Sequence, residues 1–162
     1  MYGNDTLPGV AVSETYRVKG SIWQGAPEAT WFKTVSVNGS ASEGVAISAG
    51  TIMKELITDG SYTPISTSDI ISAVSGLPGV RLAVVADKTA KTGTSVTTKD
   101  DDDNDVTVET PSSILVGTCG KVDKAKLLVG DIAFTELTTA QQILLNSQLE
   151  AWGFLLVTVQ QS

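Results

Sequence analysis

The sequence predicts a mainly β protein with a β-rich α+β fold, and three observations support this prediction. Short apolar runs rich in valine and isoleucine alternate with glycine and proline, which is typical of chains of short strands. Only one segment, near the C-terminus, has the capping pattern and length of a clear helix. The 162 residues suffice for one core, so we expect a compact domain like a β-barrel or sandwich.

The N-terminal segment, residues 1–37, lacks sustained periodicity but is rich in aromatic residues. Five of the nine aromatic residues lie there: Tyr2, Tyr16, Trp23, Trp31 and Phe32. Because aromatic side chains supply much of the area in interfaces, we interpret this segment as an extended arm that binds another protein. Core packing by an N-terminal strand is an equally open alternative. The spacing of Leu7, Val10, Val12, Tyr16 and Val18 fits strand addition to a neighbouring sheet.

The next elements are two strands or one bent strand, followed by a short helix. Residues 44–56 form two apolar runs around Gly50, which predicts the strand pair. Residues 68–74 are expected to form a short helix, capped by Ser66 or Ser68 and ended by the glycines and proline of residues 76–79.

The middle of the chain predicts a buried strand and an exposed hairpin. Val80–Asp87 is rich in β-branched residues between turn signals, which indicates a largely buried strand. Residues 92–98 and 106–110 are expected to be hairpin arms, and the acidic tract Asp100–Asp105 between them a solvated tip. Residues 114–120 follow as another short buried strand.

The C-terminal helix is the clearest local prediction. Thr138 and Gln141 have the spacing of a capping box, so the helix should begin there and run to Trp152. Gly153 is placed to adopt the left-handed conformation that ends helices. Residues 154–159 read as a final strand. The expected apolar stripe consists of Ala140, Ile143, Leu144, Leu149 and Trp152.

Charge and apolar content exclude several classes of partner. The net charge of -7 argues against binding to nucleic acid or to an anionic membrane surface, because both require Lys and Arg. No apolar run reaches the roughly 18 residues of a membrane span. The first residues lack the pattern of a secretory signal, and Cys119 is the only cysteine. We therefore expect an intracellular folding compartment and no internal disulfide.

The chain contains no histidine, which removes Ser-His-Asp and Cys-His catalysis and every His-containing zinc site. The acidic tract has the wrong spacing for a calcium loop, since Val106 and Ser112 stand where Gly and Glu are required. Gly117–Val122 fails the phosphate-loop pattern. We predict no catalytic, cofactor or metal site, although carboxylate pairs of the glycosidase kind depend on the fold and stay open.

The C-terminal half carries a recurring order of small and apolar residues. Gly120-Lys121-Val122 is followed by Leu127, then by Leu137-Thr138 at a helix start and by Phe154–Val159 as a strand. Upstream, residues 45–52 form an apolar run that ends in Ala-Gly-Thr-Ile, and residues 82–85 form a central strand. Over residues 44–159 the sequence resembles the capsid decoration and head-fibre proteins of tailed bacteriophages.

The resemblance implies a virion structural protein on the outer capsid surface, made in the host cytoplasm. It implies a homotrimer, with residues 1–37 as the capsid-binding arm and 38–162 as the trimerising decoration domain. The major capsid protein is the expected partner, with other head-fibre or auxiliary proteins as further partners. On this basis the residues expected to bind the capsid are Leu7, Val10, Val12, Tyr16, Trp23, Trp31 and Phe32.

Two other classes of function stay open. The first is a β-rich adhesin or carbohydrate-binding module that uses Trp23, Trp31 and Tyr62 as stacking platforms. The second is a histidine-free enzyme built on carboxylates, which would need a pair of buried acids in one cleft.

Overall fold

The computed structural model of the chain describes residues 22–24, 30–70 and 80–159. Within them the fold is mainly β with one α-helix, as predicted. The strands are β1 (Trp23–Gln24), β2 (Trp31–Val37), β3 (Ile52–Glu55), β4 (Tyr62–Pro64), β5 (Leu82–Val85), β6 (Thr94–Lys99), β7 (Asp105–Thr110), β8 (Ser112–Asp123), β9 (Leu128–Val129), β10 (Ile132–Ala133) and β11 (Phe154–Val157). The helix is α1 (Thr139–Ala151), and 3-10 turns occupy Thr67–Ile70, Lys124–Lys126 and Phe134–Glu136.

Strand β8 organises the main sheet. One of its edges pairs antiparallel with β2 and then β1, and the other pairs with β5 and then, in parallel, with β11. The prediction of a short strand at residues 114–120 was wrong in length, because β8 spans 12 residues. Each end of β8 has its own partners, so the ladder continues through the polar residues Ser112 and Lys121.

The sheet curls from β2 through β8, β5 and β3 to β4. Its two edges approach each other, since the Lys33 ammonium of β2 lies 5.0 Å from the ring centroid of Tyr62 in β4. The amide of Asn38 donates to the hydroxyl of Ser61 across the same gap, at 3.2 Å. Pro64 lies in the edge strand β4, where a missing N–H costs little. This curvature agrees with the expected barrel-like or sandwich-like domain.

Two hydrophobic clusters cover the two faces of the sheet. The first, beneath α1, contains Trp23, Ile52, Leu82, Val84, Val122, Leu127, Phe134, Leu145, Leu149 and Phe154 among others. The second lies on the opposite face and contains Val35, Val37, Met53, Tyr62, Ala83, Val85, Ile114 and Val116 among others. Every residue of β5 is buried, because its side chains alternate between the two clusters. The predicted buried strand is confirmed at β5.

Helix α1 begins and ends as predicted, but a different stripe faces the core. Thr138 and Gln141 form the capping box, and Gly153 has a φ of 88°. The buried helix residues are Leu145 and Leu149, whereas Ile143 is 64% exposed and Leu144 37%. The prediction that Ala140, Ile143 and Leu144 face the core was therefore wrong. Leu145 and Leu149 stack four residues apart, while Ile143 points about 200° away from Leu145.

Strands β6 and β7 form the predicted hairpin, as a separate two-stranded sheet. Residues 100–104, four aspartates and Asn104, make its tip. All residues of β7 are exposed, and in β6 only the first two are partly covered. The hairpin therefore projects from the domain as a solvated element.

The remaining predictions are partly resolved. Residues 44–56 do form two short pieces, a bridge from Ala46 to Lys91 and the strand β3. The expected helix at 68–74 is a 3-10 turn at Thr67–Ile70, whose Asp69 carboxylate accepts from the N–H of Ser66 at 2.8 Å; residues 71–79 lie outside the described residues. No helix in the described part of the chain is both long and apolar enough to cross a membrane.

Candidate interface

Trp23, one of the predicted capsid anchors, is part of the core. It is 8% exposed and lies in the cluster beneath α1. Its ring meets Phe32 edge to face at a centroid distance of 5.2 Å and lies 6.3 Å from the ring of Phe154. The expectation that Trp23 anchors a partner is corrected: its area is already used inside the domain.

Gly117 of β8 makes room for this tryptophan. A Cβ added at Gly117 would lie 2.0 Å from the Cη2 atom of Trp23, closer than atoms can approach. The indole therefore lies directly over the backbone of the central strand. This close fit makes the position of Trp23 specific and explains a glycine in the middle of a long strand.

A bulge in β8 lies opposite the junction between Trp31 and Phe32 of β2. Trp31 pairs with Cys119 and Phe32 with Gly117, so Thr118 has no opposite residue. The hydroxyl of Thr118 donates to the carbonyl oxygen of Trp31 at 3.3 Å and holds the bulge. Before the bulge, Val116 faces the second cluster, whereas beyond it Val122 faces the first. Phe32 points towards Trp23 and Trp31 to the opposite side because they are consecutive residues of β2, and the bulge places Cys119 rather than Thr118 opposite Trp31.

Trp31 is exposed to solvent. We use the name Trp31 face for the surface formed by Trp31, Cys119, Lys121 and Leu155. Residues paired across a ladder share a face, which joins Trp31 to Cys119 and Leu155 to Lys121. Trp31 is 70% exposed and Leu155 is 53% exposed. Trp31 in β2 and Leu155 in β11 thus flank the central strand on one face, and exposed aromatic and aliphatic side chains are suited to bind a protein surface.

Phe32 lies on the other face of the sheet from Trp31, because neighbouring residues of a strand point to opposite faces. Its side chain is 40% exposed, and one side of its ring packs on Trp23. Of the three aromatic anchors expected from the sequence, the structure therefore leaves Trp31 and part of Phe32 accessible. Leu155 was missed, because a final strand of Phe-Leu-Leu-Val reads as uniformly buried.

The other predicted capsid-binding residues, Leu7, Val10, Val12 and Tyr16, lie outside the described residues. For them the arm stays a prediction. The boundary expected between residues 37 and 38 does not match the fold, since β1 and β2 pair with β8 and Val35 and Val37 are buried. Residues 22–24 and 30–37 belong to the domain, and the rest of the predicted arm lies outside the described residues.

Two of the three aromatic residues expected to stack on sugars in the carbohydrate-binding alternative are buried. Trp23 is 8% exposed and Tyr62 2%, so neither ring is available for stacking on a sugar. Trp31 alone of that set is open. Sequence reasoning missed this because burial of an isolated aromatic residue depends on its partners in the fold.

Among the described residues, the acidic side chains form no cluster in a cleft. Asp123 is the buried acid among residues 22–24, 30–70 and 80–159, and its carboxylate accepts the N–H of Ala125 at 3.1 Å, at the start of a 3-10 turn. No group of three or more His, Cys, Asp or Glu side chains in those ranges is arranged to hold a metal ion. The groove beside α1 is lined by Lys124, Phe134, Ile143, Glu150 and Leu156, with one acid among them.

Three aspartates have pKa values below the ordinary range. Partial burial of Asp69 would raise its pKa, but hydrogen bonds from Lys54 and Ser66 and the charge of Lys54 outweigh burial and lower it. Hydrogen bonds from Ser61 and Asn38 lower the pKa of Asp59. The backbone N–H of Asn104 lowers the pKa of Asp100. In each case the hydrogen bonds favour the ionised form of the carboxylate.

No protein-family model, curated protein or solved structure gave a significant match to this chain.

Proposed function

We propose that this chain is a virion structural protein that binds the outer surface of a tailed-bacteriophage capsid as a decoration or head-fibre protein. Its partner is the major capsid protein, and it acts as a homotrimer without a catalytic group or cofactor. The sequence resemblance over residues 44–159 is the source of the proposal. The Trp31 face is the observation that carries it.

Trp31 offers a large apolar area at a low cost in conformational entropy. Its backbone is fixed by pairing with β8 and by the Thr118 hydroxyl, and its side chain has only two torsions to order when the ring is covered. Its 70% exposure leaves most of a large apolar side chain in water, which is unfavourable for an isolated domain. A structural protein that bridges neighbouring subunits needs such area and no reactive group.

Binding to empty capsids tests the proposal. Shells lacking this chain would be incubated with purified protein, and bound protein measured by sedimentation. We expect Trp31→Ala to weaken binding about tenfold or more, as for a central aromatic anchor. The control Ile57→Ala removes another exposed side chain, 90% exposed and distant in sequence, and should bind like the original. Failure of the unaltered chain to bind shells would refute the proposal.

The arm is tested separately, by deleting residues 1–21 rather than 1–37. The shorter deletion keeps β1 and β2, which the sheet requires. We expect a folded trimer with reduced shell binding, measured by analytical ultracentrifugation and by the same sedimentation assay. Unchanged binding would assign the contact to the domain and remove the arm from the proposal.

A further inference from the structure

The β6–β7 hairpin has an apolar face that the described part of the domain leaves about half exposed. Val96 pairs with Val108, and Thr98 with Val106, so the three valines share one face. They are 41%, 54% and 40% exposed, in the order Val96, Val108 and Val106. The opposite face is polar, with Thr97 and Thr107 in hydrogen-bond contact at 3.1 Å. The hairpin therefore has one apolar and one polar face, and both faces are exposed to solvent.

The tip keeps the hairpin in shape without covering the valines. The Asp100 carboxylate accepts the N–H groups of Asp102 at 2.9 Å and Asn104 at 2.8 Å. The Lys99 ammonium lies 3.0 Å from the Asp105 carboxylate across the strand pair. Isolated two-stranded hairpins are marginal in water, so these contacts matter for keeping the two strands paired. A preformed apolar face loses less entropy when a partner covers it.

The charge at the tip selects the kind of partner. Lys99 to Asp105 contains five carboxylates and one ammonium group, a formal charge of -4 within seven residues. The whole chain carries -7, so a second copy that presents its hairpin in the same direction brings like charges together. A basic polypeptide surface gains both apolar cover and charge pairing at this position.

We infer that the β6–β7 hairpin docks a basic segment of another protein. Apolar side chains of that segment cover Val96, Val106 and Val108, and its Lys or Arg side chains reach the aspartates at the tip. The inference rests on the proposed function only in taking the capsid shell as the source of the segment. It assigns a contact distinct from the Trp31 face, on a different sheet of the molecule.

The first experiment uses a defined probe in place of the shell. An eight-residue peptide of alternating lysine and valine would be titrated into the intact protein, and backbone amide resonances followed by NMR. We expect shifts at Val96, Val106 and Val108, and none with the matching peptide of alternating glutamate and valine. Salt should weaken the binding, because the charge pairs are exposed. Shifts elsewhere but not on the hairpin would overturn the inference.

Matched variants separate charge at the tip from net charge. D101N/D102N/D103N removes three charges from the tip but keeps Asp100, which holds the turn, and Asp105, which pairs with Lys99. D131N/E136Q/E150Q removes three charges at exposed sites outside the hairpin. We expect the tip variant to bind the basic peptide about tenfold more weakly and the other variant to lose under about twofold. Equal losses would mean that net charge alone attracts the peptide, which overturns the inference.

The apolar face is tested with V96T/V108T, which keeps side-chain shape and strand preference. Affinity for the basic peptide should fall about fivefold, with the salt dependence unchanged. Unchanged affinity would overturn the inference. If this variant instead converts an oligomer of the unaltered chain to monomer, a second copy is the occupant and the inference is also overturned.

Shell binding then distinguishes this inference from the proposed function. If shells bind the tip and valine variants as tightly as the unaltered chain, the inference fails and the proposed function stands. If shells bind no form of the chain while the basic peptide binds the hairpin, the proposed function fails and the docking surface stands. Weaker shell binding by both variants supports the two together.

Discussion

Strand β5 and the β6–β7 hairpin are built from similar residues but have opposite environments. β5 reads Leu-Ala-Val-Val, and all four side chains are buried. The hairpin carries three valines in alternation with threonines, and each valine is at least 40% exposed. Strand preference accounts for the β conformation of both. The difference shows that burial is decided by neighbouring strands. β5 lies between β3 and β8, whereas within the described residues the hairpin strands pair only with each other.

The two regions therefore contribute differently to the stability of the domain. The sheet around β8 supplies the free energy of folding through two clusters, one on each face. The hairpin adds little to that free energy and presents its side chains outward. The same contrast separates Trp23 from Trp31, on the two strands that pair with one edge of β8.

The largest expected effect comes from comparing these tryptophans. Trp23→Ala leaves a cavity between Phe32, Phe154 and Gly117 and should lower the free energy of unfolding by about 3–5 kcal/mol. Trp31→Ala removes an exposed ring and should change it by less than about 0.5 kcal/mol. Urea denaturation followed by circular dichroism measures both. Similar losses for the two variants would contradict the burial described for Trp23 and Trp31.

A matched pair of valines tests the comparison of β5 with the hairpin directly. Val84→Ala removes two methyl groups from a site that is fully buried and should cost about 2–3 kcal/mol. Val108→Ala makes the same chemical change where the side chain is 54% exposed and should cost less than about 0.5 kcal/mol. A large cost at Val108, measured on a sample shown to be monomeric, would mean that the hairpin packs on its own domain.

Elements of the fold could be predicted from the sequence where they depend on interactions between residues close together in the chain. The hairpin, β5 and the capping box at Thr138 were predicted because strand composition, turn residues and helix caps are local signals. β2 was anticipated only as the open alternative of core packing by an N-terminal strand, because Trp31 and Phe32 interrupt the alternation that Val35 and Val37 show. Only the pairing of β2 with β8, about 80 residues away, makes that segment a strand.

The candidate interface was predictable only in part for the same reason. The sequence groups Trp23, Trp31 and Phe32 together, but Gly117 of β8 leaves room to bury Trp23, and alternation along β2 turns Trp31 away from it. Which of these aromatic residues is buried can be decided only when the pairing of β1 and β2 with β8 is known. Leu155 lies on the Trp31 face because β11 pairs in parallel with β8, which is another pairing between segments distant in sequence.

The pH dependence of stability should be moderate and confined to acid. The folded-state pKa values of Asp59, Asp69 and Asp100 are lowered, so below about pH 4 the unfolded chain takes up protons first. The stability these groups provide is complete above that range and is lost as the pH falls through the folded-state values. With no histidine, Tm should change by less than about 2 °C between pH 5.5 and 7.5.

Calorimetry at a series of pH values measures this profile. In Asp69→Asn the acid-induced fall in Tm should be smaller, because the ion pair with Lys54 no longer exists to be lost. Tm at neutral pH should also be lower in that variant. A step in Tm between pH 6 and 7 would contradict the assignment of the pH dependence to aspartates.

The smallest expected effect concerns Tyr62, on the edge strand that meets β2. Its hydroxyl is buried and has no hydrogen-bond partner among the described residues, so it keeps a desolvation cost without compensation. Tyr62→Phe removes that oxygen and retains the ring, which packs in the second cluster and lies beneath the Lys33 ammonium. We expect unfolding free energy to stay constant or to rise by up to about 1 kcal/mol. A fall of that size would show that the hydroxyl has a partner in solution, and that the gap between β2 and β4 is closed by a polar contact there as well as by Asn38 and Ser61.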